Sequence, residues 1–505
     1  MGNILFDALM GGKAGSARPF LTLADGSGLG YGDIDRLSAR LANLLAAEGL
    51  QPGDRLAAQV EKSPEALALY LATVRAGGVF LPLNTAYTAH EIAYFIGDAE
   101  PSVVIVDPAR EGEAGVFLSE ARTPPRLLTL AGDGSGSLTE AAAAQPDQQT
   151  PVERGADDLA AILYTSGTTG RSKGAMLTHR NLLSNAQVLA EVWRFTEADT
   201  LLHALPIFHT HGLFVASNVA MLTGGRMIWL PKFDAAEMIR WLPHATAMMG
   251  VPTFYTRLLD RADFDAGLVR GVRLFVSGSA PLLAETHRQF EARTGHRILE
   301  RYGMTETNMN TSNPYEGERR AGTVGLPLPG VEVRITDAGK VLPPNEVGMI
   351  EVRGPNVFKG YWRMPGKTAE ELAEDGWFTT GDLGTLGEDG YLTIVGRGKD
   401  LIISGGFNIY PKEVELLIDE MPGVLESAVI GVPHPDFGEG VIAVVVPEKG
   451  AHLHPEAIIA ALKDRLARFK QPKAAFLADE LPRNTMGKVQ KAVLRNRYAD
   501  IFSRG

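Results

Sequence analysis

The alternation of helical and strand patterns along the first third of the chain restricts its fold more than any other feature. Ile34, Leu37, Leu41 and Leu44 share one face of a helix that Gly49 should end, and Ser63 followed by Pro64 predicts the start of another. The short apolar runs 103–106 and 161–164 are typical of buried strands. This alternation predicts a β-sheet covered by helices.

The last hundred or so residues have a different sequence pattern, with short strands such as 441–446 between helical patterns such as 455–469. They predict a separate small α+β domain, and 505 residues exceed what one hydrophobic core usually fills. The polar, glycine-bearing segment 396–400 is the candidate boundary. From composition alone it is either a hinge between domains or an ordinary loop.

Composition excludes several classes of function. The net charge of −11 argues against non-specific nucleic-acid binding. The absence of cysteine excludes disulfides, cysteine nucleophiles and thiolate metal sites. Neither a secretory signal pattern nor an apolar run long enough to cross a bilayer is present, so we expect a cytoplasmic protein without membrane or nucleic-acid partners.

Residues 164–174, of sequence YTSGTTGRSKG, follow the apolar strand pattern 159–163. Their glycines, hydroxyl groups and Lys173 offer the backbone donors, side-chain donors and cation that could enclose a polyphosphate. The spacing is not that of a Walker loop, and a plain turn remains an alternative from composition alone.

The string resembles the phosphate loop of the adenylate-forming superfamily, which comprises acyl-CoA synthetases, luciferases and peptide-synthetase adenylation domains. Further segments, YGMTE at 302–306 and TGD at 380–382 among them, follow in the family's order along nearly the whole chain. Without that shared order, Glu306 and Asp382 would be interpreted as solvated surface carboxylates.

The resemblance implies a role for each matching residue. The β and γ phosphates of ATP would be held by Thr165, Ser166, Gly167, Thr168, Thr169 and Lys173. Tyr302 would stack near the adenine, Thr305 would touch the α-phosphate, and Glu306 would help to hold Mg²⁺. Asp382 and Arg397 would bind the ribose.

The resemblance also implies an α/β fold with a large N-terminal domain of helix-flanked β-sheets, a β-barrel-like subdomain and a small mobile C-terminal α+β domain. The N-terminal ATP- and acid-binding domain would span residues 1–397, and the mobile domain residues 398–505. Lys399 falls at the family's hinge position.

The mobile domain would serve two half-reactions. Lys488, in the segment LPRNTMGK at 481–488, resembles the family lysine that reaches the carboxylate and the α-phosphate as an acyl-adenylate forms. The segment 404–410 would then swing in, and Gly405 and Gly406 would leave room for the pantetheine of coenzyme A while its thiol expels AMP. Acetylation of Lys488 is a regulatory hypothesis, since it would remove the catalytic charge.

His203, His209 and His211 lie close together in the sequence. Their spacing would put 209 and 211 on one face of an extended segment, as a zinc site could use, although no third ligand with motif spacing follows. The family instead places His209 at the floor of the acyl pocket. Amino-acid-activating members carry an aspartate near here, and this chain does not.

Arg257 is the sequence feature that selects the acid. The segment 251–257 predicts a continuing strand along the acyl pocket, where a buried arginine would need an anion, although a surface arginine is the alternative. Together with Ser277, Gly278 and the segment 305–310, Arg257 resembles the malonyl-CoA synthetases. That resemblance implies malonate as the substrate, with methylmalonate tolerated and acetate rejected because it would leave the cation unpaired.

Four rivals remain. One is a synthetase of the same superfamily for another short, medium-chain or aryl acid. A ligase that loads a carrier protein is a second, although no carrier domain with its serine motif lies within the 505 residues. A luciferase-like oxygenase and a non-catalytic nucleotide sensor are the others, and the presence of Glu306, Asp382 and Lys488 together disfavours the sensor.

Overall fold

The computed structural model describes residues 2–165, 172–405, 407–463, 465–484 and 487–502. Two compact units are present. The first comprises Met1–Ala321, Gly325–Glu332 and Val352–Phe378, and the second comprises Gly322–Val324, Val333–Glu351 and Thr379–Gly505.

The first unit contains fifteen strands and twelve α-helices among its described residues. The strands are β1 (Pro19–Leu23), β2 (Gly28–Gly30), β3 (Arg55–Gln59), β4 (Val79–Pro82), β5 (Val103–Val106), β6 (Arg126–Thr129), β7 (Leu159–Thr165), β8 (Lys173–Thr178), β9 (Thr200–His203), β10 (Arg226–Trp229), β11 (Ala247–Gly250), β12 (Leu274–Ser277), β13 (Leu299–Met304), β14 (Asn308–Ser312) and β15 (Leu326–Pro327). The helices are α1 (Ile4–Met10), α2 (Tyr31–Ala47), α3 (Pro64–Arg75), α4 (Ala89–Ala99), α5 (Ala114–Phe117), α6 (Ser137–Ala142), α7 (His179–Val192), α8 (Asn218–Thr223), α9 (Ala235–Trp241), α10 (Pro252–Leu259), α11 (Ala284–Thr294) and α12 (Pro365–Glu371). A π-helix spans His211–Ser217, and 3₁₀ turns span Pro108–Glu113 and Leu242–His244.

Two sheets organise this unit. One has the order β6-β5-β3-β4-β7-β8, and the other has the order β15-β14-β13-β12-β11-β9-β10-β1-β2. In the second sheet, the strands from β13 through β12, β11, β9 and β10 to β1 are all parallel. Their carboxyl ends therefore meet at one edge, which is where ligands bind in open α/β sheets.

Several predicted elements of this unit are confirmed. The periodic residues 34–45 form α2, and Gly49 adopts φ 97° after it. The Ser63 side chain accepts a hydrogen bond from the Ala66 backbone N–H at 3.0 Å and so caps α3. The stretch 132–154, expected to be a surface connection, contains the short helix α6, which the apolar Leu138 anchors in the interior.

The second unit contains ten strands and three α-helices among its described residues, although a few residues at strand ends cluster with the first unit. The strands are β16 (Glu332–Asp337), β17 (Lys340–Val341), β18 (Gly348–Arg353), β19 (Phe378–Leu386), β20 (Leu392–Arg397), β21 (Ile402–Ser404), β22 (Phe407–Ile409), β23 (Val424–His434), β24 (Gly438–Pro447) and β25 (Ala474–Leu477). The helices are α13 (Pro411–Asp419), α14 (Pro455–Ala461) and α15 (Lys491–Arg497), with 3₁₀ turns at Gly398–Asp400 and Arg468–Lys470.

The strands of the second unit form two sheets. One has the order β17-β16-β18-β19-β20, and the other, of order β22-β21-β24-β23 with β25 beside β24, carries the α+β part. Val414 of α13 packs on one face of that sheet, and Leu494 of α15 packs on the other. The mixed α/β architecture with a small C-terminal α+β part is therefore confirmed.

Two details of the C-terminal region differ from or extend the sequence interpretation. The helical pattern 455–469 forms a helix only over Pro455–Ala461, because the chain leaves the helix after Leu462 and turns at Arg468–Lys470. Residues 379–397 cluster with the C-terminal residues, whereas the boundary of a mobile domain after residue 397, like its mobility, stays a prediction. Among the described residues, none of the helices is both long and apolar enough to span a membrane.

Asp419 generates a prediction about stability and pH. Burial raises the pKa of Asp419 to about 6, against the opposing influence of Lys412 and of the Ser427 hydroxyl, which donates to it at 2.7 Å. The folded chain therefore holds this proton more tightly than the unfolded chain, and the free energy of unfolding falls as the pH rises from about 4 to 6.

Asp419→Asn removes this titration. Relative to wild type, the variant should gain about 2 kcal/mol of stability between pH 4 and pH 7, measured by urea unfolding at both pH values. Asp436→Asn, at an exposed carboxylate, is the control. If the difference in the free energy of unfolding between Asp419→Asn and wild type did not change with pH, the raised pKa assigned to Asp419 would be wrong.

Candidate functional site

The proposed phosphate loop connects two paired strands. β7 and β8 are antiparallel, and Thr165 at the end of β7 lies opposite Lys173 at the start of β8. Ser166, Gly167, Thr168 and Thr169 lie outside the described residues. The strand before the loop is confirmed, and the roles of the loop residues stay predictions.

A buried network of charges surrounds Thr165 and Lys173. Lys173, only 7% exposed, donates to both carboxylate oxygens of Glu371 at 3.0 and 3.1 Å, and its ammonium lies 4.0 Å from the centre of the Tyr361 ring. The Tyr361 hydroxyl lies 2.6 Å from Glu371 Oε2 and 3.0 Å from Glu306 Oε1. The Thr165 hydroxyl donates to the same oxygen of Glu306 at 3.4 Å.

The two carboxylates of this network differ in proton affinity. Burial raises the pKa of Glu306, and a backbone hydrogen bond and the charge of Lys173 only partly offset this effect. The pKa of Glu371 is lowered: burial would raise it, but hydrogen bonds from Tyr361, Lys367 and Lys173 outweigh that effect. Glu371 therefore neutralises Lys173, while the charged form of Glu306 needs further positive charge.

Thr305 and Glu306 follow β13 at the carboxyl edge of the nine-stranded sheet. The ends of β9, β11 and β12 lie at the same edge, and Ser277 is the last residue of β12. Tyr302 is part of β13 and is buried. The sheet thus brings residues far apart in sequence to one edge.

The three histidines have separate environments. His203 is buried, and its Nδ1 and backbone carbonyl both lie 2.8 Å from the ammonium of Lys62. His211 opens the π-helix, so the expectation of an extended segment at 209–211 is wrong. Nδ1 of the half-buried His209 accepts from the His211 backbone N–H at 3.4 Å. Among the described residues, no three metal-binding side chains cluster.

The structure corrects the setting of Arg257. The segment 252–259 is helix α10 rather than a strand, because Pro252 begins a helix directly after β11. Arg257 is exposed on α10, with its guanidinium 5.9 Å from the Phe233 ring. The argument from a buried arginine therefore does not apply to Arg257, and its contact with substrate stays a prediction.

A buried arginine does occur nearby, at Arg301 of β13, and the sequence interpretation missed it. Arg301 is 3% exposed, and its guanidinium lies against Gly278, where an added Cβ would come within 2.3 Å of Cζ. The sequence did offer a signal for it, because Glu300 and Arg301 are charged residues within a strand, and a strand of a parallel sheet is buried on both faces.

The second unit brings together the two predicted ribose contacts. Asp382 of β19 and Arg397 of β20 are directly opposite in antiparallel register, with Arg397 Nε 3.1 Å from Asp382 Oδ1. Asp382 is buried, and its backbone N–H donates to the Thr380 hydroxyl at 3.1 Å. A fixed carboxylate of this kind is suited to accept hydrogen bonds from vicinal hydroxyl groups.

The remaining predicted residues of this unit lie on turns. Lys488 is half-buried in a loop closed by the bridge between Arg483 and Val489, and its backbone N–H donates to Asn484 Oδ1 at 2.9 Å. Gly405 adopts φ 59° in the tight turn between β21 and β22, and Gly406 lies outside the described residues. Lys399 is exposed on the 3₁₀ turn that follows β20.

Comparison with known proteins decides the family. Residues 13–362 match the family described as AMP-binding enzyme, and residues 413–488 match its C-terminal domain. This chain belongs to the AMP-binding enzymes. The resemblance to adenylate-forming enzymes is thereby confirmed.

Relatives of this AMP-binding enzyme match over most of its length. MatB from Rhodopseudomonas palustris, in a crystal structure with bound ATP, is 58% identical with a TM-score of 0.97, over 99% of this chain and 100% of that one. A malonate–CoA ligase of Arabidopsis thaliana is 34% identical, over 97% of this chain and 88% of its own length. A feruloyl-CoA synthase of Amycolatopsis is 37% identical, over 94% of both chains.

The network around Lys173 predicts that two neighbouring glutamates of this AMP-binding enzyme contribute differently to the free energy of unfolding. Glu371→Gln leaves the buried Lys173 without a carboxylate, and the free energy of unfolding should fall by about 2 kcal/mol. Glu370→Gln is the matched control, since Glu370 is 66% exposed and pairs only with Lys367 among the described residues. Its loss should stay below about 1 kcal/mol in urea unfolding. Equal losses for the two variants would contradict the assigned role of Glu371.

Proposed function

We propose that this AMP-binding enzyme is an ATP-dependent ligase that joins malonate to coenzyme A and releases AMP and pyrophosphate. The observation that carries the proposal is the match to a malonate–CoA ligase over 97% of the chain, within a fold that has a TM-score of 0.97 with ATP-bound MatB. A carboxylate cannot readily expel oxide, so activation as an acyl-adenylate precedes transfer to the thiol.

In the first half-reaction, a carboxylate oxygen of malonate attacks the α-phosphorus of ATP, and pyrophosphate leaves. Thr165, Lys173 and the loop between them bind the β and γ phosphates. Lys173 is already held by Glu371, so it contributes a fixed charge rather than a flexible one. Thr305, directly after β13, contacts the α-phosphate.

Glu306 fits a divalent cation. Its burial raises its pKa, so the charged carboxylate is stabilised when positive charge arrives. Mg²⁺ usually binds proteins through one or two carboxylates together with substrate phosphates, which suits a single buried glutamate. Bound there, Mg²⁺ would offset the charge of the phosphate oxygens. Tyr361 and Thr165 orient Glu306 for this role.

Three residues of the second unit have proposed roles in the first half-reaction. Asp382 accepts from the ribose hydroxyls, and Arg397 fixes the orientation of Asp382 through their ion pair while contacting the ribose itself. Lys488 offsets the repulsion between the carboxylate and the α-phosphate as they approach. Acetylation of Lys488 would remove that charge and suppress adenylation.

In the second half-reaction, the coenzyme A thiol attacks the malonyl carbonyl and AMP leaves. Gly405 and Gly406 would leave room for the pantetheine arm, and Lys399 would be the hinge residue as the segment 404–410 replaces Lys488. His209, Ser277, Gly278 and Arg257 line the acyl pocket. Because Lys488 is assigned to adenylation and other residues to thiol transfer, replacing Lys488 should affect only the first half-reaction.

The test compares AMP release with malonate, methylmalonate, propionate and ferulate in the presence of ATP and coenzyme A. Malonate should give the highest kcat/KM. Lys488→Ala should lose at least about 100-fold in malonate-dependent pyrophosphate release, whereas its conversion of supplied malonyl-adenylate and coenzyme A to malonyl-CoA should persist.

Lys449→Ala, at an exposed lysine of the same unit, is the control and should match wild type in both assays. A panel led by ferulate would select the aryl alternative that the feruloyl-CoA synthase relative represents. Loss of both half-reactions in Lys488→Ala would contradict the assignment of Lys488 to the first half-reaction alone.

A further inference from the structure

Lys62 is a buried lysine that contacts a histidine and an aromatic ring. It is 6% exposed, and in the described part of the chain no acidic side chain forms an ion pair with it. Its Nζ lies 2.8 Å from Nδ1 of His203, 2.8 Å from the His203 backbone carbonyl and 4.1 Å from the centre of the Trp229 ring. Burial lowers the pKa of Lys62, and even an uncharged amine has the two N–H donors that the contacts with His203 need.

The contacts of His203 fix which ring nitrogen carries its proton. Burial lowers the pKa of His203 well below its usual range, and the neighbouring Lys62 lowers it further, so the imidazole is neutral. Nε2 lies 2.9 Å from the Gly212 backbone carbonyl, which can only accept, so Nε2 carries the proton and donates it. Nδ1 is then the acceptor for Nζ of Lys62. A chain of hydrogen bonds therefore runs from Lys62 through His203 to Gly212.

The Gly212 carbonyl belongs to the first turn of the π-helix. Such helices are rare and are frequently found at functional sites. Besides His203, the Ser217 hydroxyl donates to this carbonyl at 2.9 Å. Gly212 has no space for a side chain, because an added Cβ would lie 2.0 Å from the Pro206 carbonyl oxygen. The start of the π-helix is therefore held by hydrogen bonds to side chains and by close packing.

The start of the π-helix determines the position of His209. The Leu213 backbone N–H donates to the His209 carbonyl at 3.0 Å, which joins the two residues in one turn. Between them, the Thr210 hydroxyl donates to Asn308 Oδ1 at 3.4 Å and so ties the segment to β14. A displacement of Gly212 would therefore displace His209 as well.

Lys62 and His203 come from different sheets. Lys62 follows Gln59, the last residue of β3, and β3, β4 and β7 are parallel strands of the sheet from which the proposed phosphate loop leaves. His203 is the last residue of β9 in the nine-stranded sheet, at the edge where Thr305 follows β13. The contact thus joins the carboxyl edges of the two sheets, one assigned to phosphate and the other to the acid.

We propose that Lys62 and His203 are positioning residues of the acyl pocket: Lys62 orients His203, and His203 holds the Gly212 carbonyl so that His209 is correctly placed for the acid. The inference rests on the proposed function, which assigns His209 to that pocket. Misplacing a positioned group by about 1 Å can lower a rate by about 100-fold. The two residues therefore act on the reaction of the acid and not on the binding of ATP, whereas a purely structural role would affect both.

The test compares Lys62→Met with wild type in two assays. Methionine has a similar length and removes the N–H donors. We expect kcat/KM for malonate in pyrophosphate release to fall at least about 10-fold, because His209 is displaced. The Kd of ATP, measured by titration without acid, should change by less than about 3-fold. An unchanged kcat/KM, or an equal loss in ATP binding, would overturn the proposal.

Arg75→Met is the matched control. Arg75 lies at the other end of α3, is also buried, and donates to Asp35 Oδ1 at 2.8 Å. Its replacement should lower the melting temperature while kcat/KM for malonate stays near the wild-type value. A loss of kcat/KM as large as that of Lys62→Met would overturn the proposal, because destabilising α3 would then be sufficient to explain both variants.

His203→Gln and His203→Leu test the hydrogen bond to Gly212 and keep the proposal testable if Lys62→Met does not fold. A glutamine amide can place an N–H donor near the position of Nε2, whereas leucine fills a similar space without a donor. His203→Gln should therefore retain kcat/KM for malonate within about 5-fold of wild type, and His203→Leu should lose at least about 10-fold. Equal losses in these two variants would overturn the proposal.

Wild-type enzyme separates this inference from the proposed function. If it prefers another carboxylic acid to malonate, the malonate assignment fails, and acid reactivity and ATP binding are compared in the variants with the preferred acid. If it prefers malonate and Lys62→Met matches it in both assays, only the positioning role of Lys62 and His203 fails.

Discussion

The parallel pairing of six strands in the nine-stranded sheet is the constraint on which the candidate site depends. Parallel strands end at the same edge, so the residues after β9, β11, β12 and β13 meet although they are about a hundred positions apart in the chain. His211, Gly278, Thr305 and Glu306 all occupy such positions. A register slip in this sheet would separate them, and the buried strands oppose such a slip because their apolar side chains fill the core.

Some buried charges of the first unit are neutralised by the protein itself, and others need a bound ligand. Lys173 is neutralised by Glu371 within the protein, so it can serve as a fixed contact for phosphate. Glu306 is not balanced in this way, because burial raises the pKa of its carboxyl. Its charged form is stabilised by what the enzyme is proposed to bind, a divalent cation with phosphates.

Much of the fold could be predicted from the sequence, because periodicity and capping are local. The helix that Ser63 and Pro64 begin and the strand at Val103–Val106 depend on neighbouring residues only. The segment 251–257 could not be read correctly in this way, since its apolar spacing fits a strand as well as a helix until Pro252 is seen to follow directly after β11. Glu306 and Asp382 were identified by the order of motifs. Arg301 and Glu371 were not, because their importance depends on which side chains the fold places beside them.

The proposed mechanism depends on the formation of one bond, between a malonate oxygen and the α-phosphorus of ATP. The most direct measurement uses malonate labelled with ¹⁸O in its carboxylates, together with ATP and coenzyme A, and follows the label by mass spectrometry. We predict AMP that carries one labelled oxygen and pyrophosphate that carries none, because the attacking oxygen leaves with AMP when the thiol takes the malonyl group. Label in pyrophosphate or phosphate, or unlabelled AMP formed alongside malonyl-CoA, would contradict the account.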